Sequence, residues 1–167
     1  MRHVTKAALL VAGLTLAACA NSDLYSGTDG PGSQSGATAG SVDDPTSIAH
    51  FQQVVGDRVL FAVDQSTLSD EGRLTVLAQA NWLLDNPEYT AVVEGHADEQ
   101  GTREYNLALG ARRASAVRQL LVAQGVSANR IRTVSYGKER PIELCSAESC
   151  YAQNRRAVTV LAAGATG

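Results

Sequence analysis

A cysteine at position 19 closes the longest apolar run near the start of this chain, and the run divides the sequence before any fold is considered. Residues 7–17 form it, 11 residues in all. A helix needs about 20 apolar residues to cross a bilayer, so this run is too short to span one. Arg2, His3 and Lys6 precede it, and Leu16, Ala17 and Ala18 lead into Cys19. A basic start, a short apolar stretch and small residues before a cut site describe a targeting segment rather than structure. Residues 1–18 are therefore expected to be removed. With no second apolar segment in the sequence, the rest is expected to be soluble.

The Leu-Ala-Ala-Cys ending resembles the lipobox of bacterial lipoproteins. In those proteins the cysteine thiol receives a diacylglycerol, the peptide is cut before it, and the new amine is acylated. The resemblance makes Cys19 the expected lipidation site. Three acyl chains anchor firmly, since each buried methylene contributes roughly 0.8 kcal/mol. Ala20 stands where an aspartate would often signal inner-membrane retention, which favours the outer membrane, with the domain in the periplasm.

Residues 20–44 hold 5 Gly and 5 Ser and little that is apolar. This is linker composition, with a random-coil span of about 25–30 Å and an extended limit of about 80–90 Å. One globular domain is expected over residues 45–167. Between residues 20 and 99 there are 13 acidic and 2 basic residues, and from Gln100 onward 4 acidic and 10 basic. The second half can attract anions, but no Lys/Arg run reads as a nucleic-acid patch. An aromatic fraction of 5% further disfavours binding by base stacking.

Within the domain, residues 48–51 suggest a helical turn and residues 58–63 a strand. Ser69, Asp70 and Glu71 supply a cap and an acidic first turn for a helix to about Asp85, with Leu74, Leu77, Ala78 and Leu84 near one face. Asn86 and Pro87 stop it. Residues 89–96 read as a second strand and residues 98–101 as a loop. Thr102 can cap a long helix ending at Gln124, with Gly125 as its left-handed stop. Residues 130–136 and 156–162 read as strands, joined by a long connection over residues 137–149. The order β-α-β-α-β-β predicts an α+β fold, a mixed sheet with both helices packed on one face. Cys145 and Cys150 remain after the targeting segment goes. Export places them in an oxidising compartment, and a disulfide is expected, with two buried free thiols as the alternative. Zinc is not, because no His or further Cys lies near them.

Residues 92–113 read VVEGHADEQGTREYNLALGARR, residues 131–141 IRTVSYGKERP, and residues 154–160 NRRAVTV. With FAVDQSTL at 61–68 and the lipobox, this resembles the peptidoglycan-associated lipoproteins (Pal) of the Tol-Pal system, whose globular domain is of the OmpA C-terminal-like family. The resemblance covers nearly all of residues 45–162. It implies binding, without covalent attachment, to the diaminopimelate of the peptidoglycan stem peptide. The family's loop aspartate falls on Asp98 and its helix arginine on Arg113. Asn106 and Leu109 match positions lining the same pocket, and Asp64 matches one bordering it. Val63 departs from the family, which often has Phe there, so that wall is expected to be more open. The resemblance also implies TolB and TolA as partners and a role in holding the envelope together during constriction at division.

Helical spacing supports the site independently. At 100° per residue Arg113 lies about 20° from Asn106 and Leu109 about 60°, whereas Arg112 lies about 120° away. Diaminopimelate ends in an ammonium and a carboxylate, for which a carboxylate and a guanidinium are the matching pair. The alternative is that Asp98 and Arg113 pair with each other to hold the loop on the helix. No catalytic residues, metal or cofactor are expected. The chain has no Ser/His/Asp or Cys/His set, no placed carboxylate pair, and only one His beside Asp98 and Glu99. His96 is expected to be a hydrogen-bonded residue at a strand end. Asn154, Arg155 and Arg156 are expected to fasten the last strand, and Trp82 to sit in the core or at its rim. Gly95, Gly101, Gly110 and Gly137 are expected to serve turns or close packing.

Overall fold

The computed structural model describes residues 40–163. Cys19, the targeting segment and residues 20–39 of the expected linker lie outside the described residues. Gly40 to Asp44 belong to the folded part: Asp44 accepts the N–H groups of Gly40 and Thr46, and the Val42 carbonyl lies 2.9 Å from His50 Nδ1. A short helix α1 (Ile48–His50) runs on into a π-helical stretch, Phe51–Gly56.

The two long helices begin and end where local chemistry puts them. Helix α2 (Asp70–Asp85) starts at Ser69, whose hydroxyl accepts the Gly72 N–H. It stops at Asn86, which returns both its side-chain amide and its backbone N–H to the Trp82 carbonyl. Helix α3 (Arg103–Ala123) is capped by Thr102, whose hydroxyl accepts the Tyr105 N–H, and stops before Gly125 at φ 102°. The buried face of α2 is not the expected one. Gly72, Val76, Gln79, Ala80, Trp82 and Leu83 are buried, whereas Leu74 is 68% exposed and Leu84 45%. The reason is Gln79, which a polarity reading puts outside. It is fully buried, donating to the Gly56 carbonyl and accepting from the Thr159 hydroxyl.

The strands are β1 (Arg58–Leu60), β2 (Tyr89–His96), β3 (Ile131–Gly137) and β4 (Arg156–Ala163), in the spatial order β1-β4-β2-β3. Strand β2 runs parallel to β3 and antiparallel to β4, and β4 antiparallel to β1, so the last strand enters between the first two. One core takes Val76 and Leu83 from α2, Val117 and Leu121 from α3, and Val59, Val93, Ile131 and Leu161 from the sheet. This is the expected α+β sheet with both long helices on one face.

Two further expectations need correction. Strand β1 ends at Leu60 rather than Val63, because the chain leaves the sheet to turn through Asp64, at φ 57°. The connection before β4 contains a helix, α4 (Glu148–Asn154), that was expected as loop. Cys145 and Cys150 form a disulfide at its start, as expected.

Candidate functional site

Strands β1 and β2 deliver two loops to the same end of the sheet. At the end of β2 the pairing with β3 shifts register between Gly95 and His96, and such an irregularity re-aims the chain beyond it. Asp98 lies in that re-aimed loop. Helix α3 then crosses the sheet very close to β2. A Cβ added to Gly95 would lie 1.8 Å from the Gly110 carbonyl oxygen, and one added to Gly110 would lie 2.4 Å from Ser135 Oγ. Glycine at both positions permits this approach, which sets the first turns of α3 against the loop.

The loops and α3 enclose a cavity of about 290 Å³, lined by Val63, Asp64, Asp98, Gln100, Gly101, Tyr105, Asn106, Leu109 and Arg113. All five residues expected in the pocket line it together. Its size is at the lower end for ligand pockets and fits a ligand the size of a side chain. Val63, at the departure from the family pattern, is 56% exposed. A larger groove of about 580 Å³ between α2 and α3 contains Arg73 and Arg112 but none of the five.

Each lining group is held in place. Asn106 is 1% exposed and donates to the Gln100 carbonyl at 2.7 Å, tying loop to helix. Lys138 Nζ donates to the Gly101 carbonyl at 2.7 Å from the other side. Tyr105 donates to Asp64, and that bond pushes the Tyr105 hydroxyl pKa up, keeping it a donor.

Arg113 has no exposed surface and is the largest fully buried side chain. Its Nε, Nη1 and Nη2 donate to the carbonyls of Gln65, His96 and Ala62, and its guanidinium lies 5.3 Å from the Phe61 ring centroid. Burial lowers its pKa to about 10, against the opposing pull of Asp98, so it stays cationic at neutral pH. Three bonds leave two of the five N–H donors of a guanidinium. Arg113 thus pins the strand-leaving segment and brings a positive charge to the cavity.

Asp98 does not form an ion pair with Arg113. Its partner is Arg155, whose Nη1 donates to Asp98 Oδ2 at 3.2 Å. Arg155 was expected only to fasten the last strand. It does bond the Phe61 carbonyl, at 3.2 Å, but it also reaches the site. Arg156 keeps the expected structural role, donating to the carbonyls of Asn154 and Arg140. Tyr105 was also missed, though it sits one turn before Leu109 on the helix face already assigned to the pocket. His96 departs from expectation too. It is 2% exposed, its ring stacks on Tyr136 at 5.5 Å, and among the described residues neither ring nitrogen has a hydrogen-bond partner.

Around the cavity, the carboxylates of Asp64 and Asp98 balance the guanidiniums of Arg113 and Arg155. A site with no net charge but separated charges suits a zwitterion better than a simple anion or cation.

The match to known proteins decides the family. The model of the OmpA family matches residues 60–155. The chain belongs to the OmpA family. Within it, the "Peptidoglycan-associated lipoprotein" of Mesorhizobium japonicum is 49% identical over 157 residues, covering 91% of this chain and 88% of that one. The protein of the same name from Brucella melitensis is 54% identical over 117 residues, 70% of each chain. The crystal structure of the peptidoglycan-associated lipoprotein from Burkholderia pseudomallei superposes with a TM-score of 0.64 at 37% identity, covering 72% of this chain and 98% of that one. The C-terminal domain of Helicobacter pylori MotB, at 22% identity and TM-score 0.61, shares the fold. The OmpA-family match runs from the last residue of β1 through α4 and so includes every residue lining the cavity.

Proposed function

We propose that this chain is an outer-membrane lipoprotein that grips peptidoglycan without covalent attachment, by holding the zwitterionic end of diaminopimelate in the stem peptide. The observation that carries this reading is the charge balance around the cavity, with the carboxylates of Asp64 and Asp98 set against the guanidiniums of Arg113 and Arg155. The ligand ammonium faces the two carboxylates, and its carboxylate takes the remaining Arg113 donors. Charge-assisted hydrogen bonds of this kind are about twice as strong as neutral ones. No bond in the polymer is made or broken. Lipid on Cys19 holds one end of the link, and residues 20–39 give the domain reach.

Membership of the Pal relatives adds the Tol-Pal system. TolB and TolA are the proposed protein partners, and support of envelope constriction at division is the proposed cellular role. TolB and peptidoglycan are proposed to use overlapping surfaces around the Asp98 loop and the start of α3, and so to compete.

The deciding experiment is co-sedimentation of the chain from Ala20 onward with purified peptidoglycan. Binding is expected, and free diaminopimelate should release it. A chain that stays in the supernatant, or whose pelleting ignores the competitor, would remove the proposal. Replacing Cys19 by Ser should abolish acyl labelling and outer-membrane fractionation.

A further inference from the structure

Asp98 is oriented by two contacts. One carboxylate oxygen accepts the Gln100 N–H and the other accepts from Arg155, each at 3.2 Å. The Arg155 guanidinium is in turn held by Glu148, the first residue of α4, which lies inside the loop that the Cys145–Cys150 disulfide closes. This loop and the residue after it also reach Glu99, which follows Asp98 in the chain but does not line the cavity. Ser146 Oγ donates to Glu99 Oε1 at 2.7 Å, and the Tyr151 hydroxyl donates to the same oxygen at 2.8 Å. Both contacts hold the Glu99 carboxyl below the usual carboxylate range.

Little else fixes this loop. Residues 141–149 are all exposed, Leu144 to 87%. Helix α4 has only 7 residues, and Ala147 at its N-cap offers no side-chain hydrogen bond. A helix this short and uncapped is marginal by itself. The disulfide fastens its first turn to the chain just before it, and Asn154 holds the backbone of Ile142 and Glu143. None of residues 145–150 belongs to the hydrophobic core cluster.

We propose that the disulfide-closed loop is a positioning device for the ligand, in which Glu148 acts through Arg155 on Asp98, and Ser146 with Tyr151 holds the Asp98 loop through Glu99. Glu148 and Arg155 are positioning residues, and the disulfide keeps them in register. Cleaving the bond loosens the site without unfolding the sheet, because within the loop only Cys150 is buried and it lies outside the main core cluster. The inference rests on the proposed function.

The test uses the full chain in detergent and a muropeptide carrying a diaminopimelate tripeptide stem as probe, with affinity read by calorimetry. The arms are the parent, the parent after dithiothreitol, Cys145→Ser with Cys150→Ser, Glu148→Ala and Glu148→Gln. Dithiothreitol breaks the S–S bond to two thiols and is itself oxidised to its cyclic disulfide. Thiol titration confirms the cleavage, and circular dichroism sets a temperature at which every arm is folded. Coupling between neighbouring groups of this kind predicts about tenfold weaker binding in the reduced, double-serine and Glu148→Ala arms. Glu148→Gln keeps a hydrogen-bond acceptor and should recover most of the loss, which a purely structural effect on folding would not produce. A parent that binds while the reduced and Glu148→Ala arms bind equally well would overturn this inference alone. A parent that does not bind the muropeptide would overturn the proposed function and this inference with it.

Discussion

Arg155 and Asp98 meet at 3.2 Å with side chains only 6% and 11% exposed, joining the start of the last strand to the loop after β2 across 57 residues of sequence. Removing one member of a buried pair leaves the other charged and desolvated, which costs more than the pair contributes.

The first prediction follows from that asymmetry. Arg155→Ala should lower unfolding free energy by about 3 kcal/mol, and the double variant with Asp98→Ala should cost less than the two single losses combined by about 1 kcal/mol or more. Urea denaturation of the four proteins checks it. Additive losses would mean the contact carries no coupling.

The second prediction separates two adjacent arginines. Arg113, itself fully buried, donates to three backbone carbonyls, of which that of His96 is buried, while Arg112 lies on the exposed side of α3, 5.9 Å from the Tyr105 ring centroid. Arg113→Ala should therefore destabilise the fold by about 2–3 kcal/mol, since it orphans the buried His96 carbonyl, at about 1–3 kcal/mol, and empties the volume of a fully buried side chain. Binding loss in that variant would be ambiguous. Arg113→Lys keeps the charge but not the fork, and where it is folded it should still bind muropeptide at least tenfold more weakly, given about 1.4 kcal/mol per decade. Arg112→Ala should change affinity by well under tenfold, as an exposed charge contributes about 0–1 kcal/mol. Wild-type affinity in Arg113→Lys together with loss in Arg112→Ala would reverse the assignment.

The third prediction concerns the contact that sets α3 on the sheet. A methyl at Gly95 has nowhere to go but into the Gly110 carbonyl, which is backbone and cannot rotate away. Gly95→Ala should cost at least the 1–3 kcal/mol that is typical of overpacking, about the upper end of that range, and should weaken binding by displacing Asn106, Leu109 and Arg113 together. Thermal melts and calorimetry on the same sample check both. A variant as stable as the parent would mean that helix and strand have slack there.

What the sequence made legible was local chemistry. Strand β2 and helix α3 fall where alternation, the Thr102 cap and Gly125 put them, and the five expected pocket residues line one cavity. What it hid were contacts made at a distance. The buried side of α2 was misread because Gln79 finds partners at Gly56 and Thr159, far along the chain. Arg155 was read as a fastener because nothing near it in sequence points to Asp98. Helix α4 was missed because its sequence, ESCYAQN, lacks both an N-cap and an apolar stripe, and the disulfide holds what propensity does not.

The last prediction is a pH dependence centred on His96. Its ring is buried beside Arg156, Arg140 and Arg58, and burial first, then those three charges, lowers its pKa to about 4 from an ordinary 6.5. The nearest carboxylate oxygen, Glu94 Oε2, is 3.6 Å from Nε2, too long for a hydrogen bond that would hold the charged form. The sign follows from linkage. Between pH 6.5 and 4 the unfolded chain binds a proton at His96 that the folded chain refuses, so unfolding is favoured as pH falls through that window. At 1.36 kcal/mol per unit the loss reaches about 3 kcal/mol near pH 4, is complete only about a unit lower, and is nearly absent above pH 7. The depressed carboxylates Asp44, Glu99 and Glu148 lose their contributions in more acid solution, from their ordinary value of 4.5 or less downward, which separates the two effects. Urea denaturation at half-unit pH steps should show stability falling from pH 6.5 to 4.5 in the parent and a flatter profile in His96→Gln. A parent whose stability is level across that range would show that His96 accepts its proton in the folded state, and that the three arginines are screened from it.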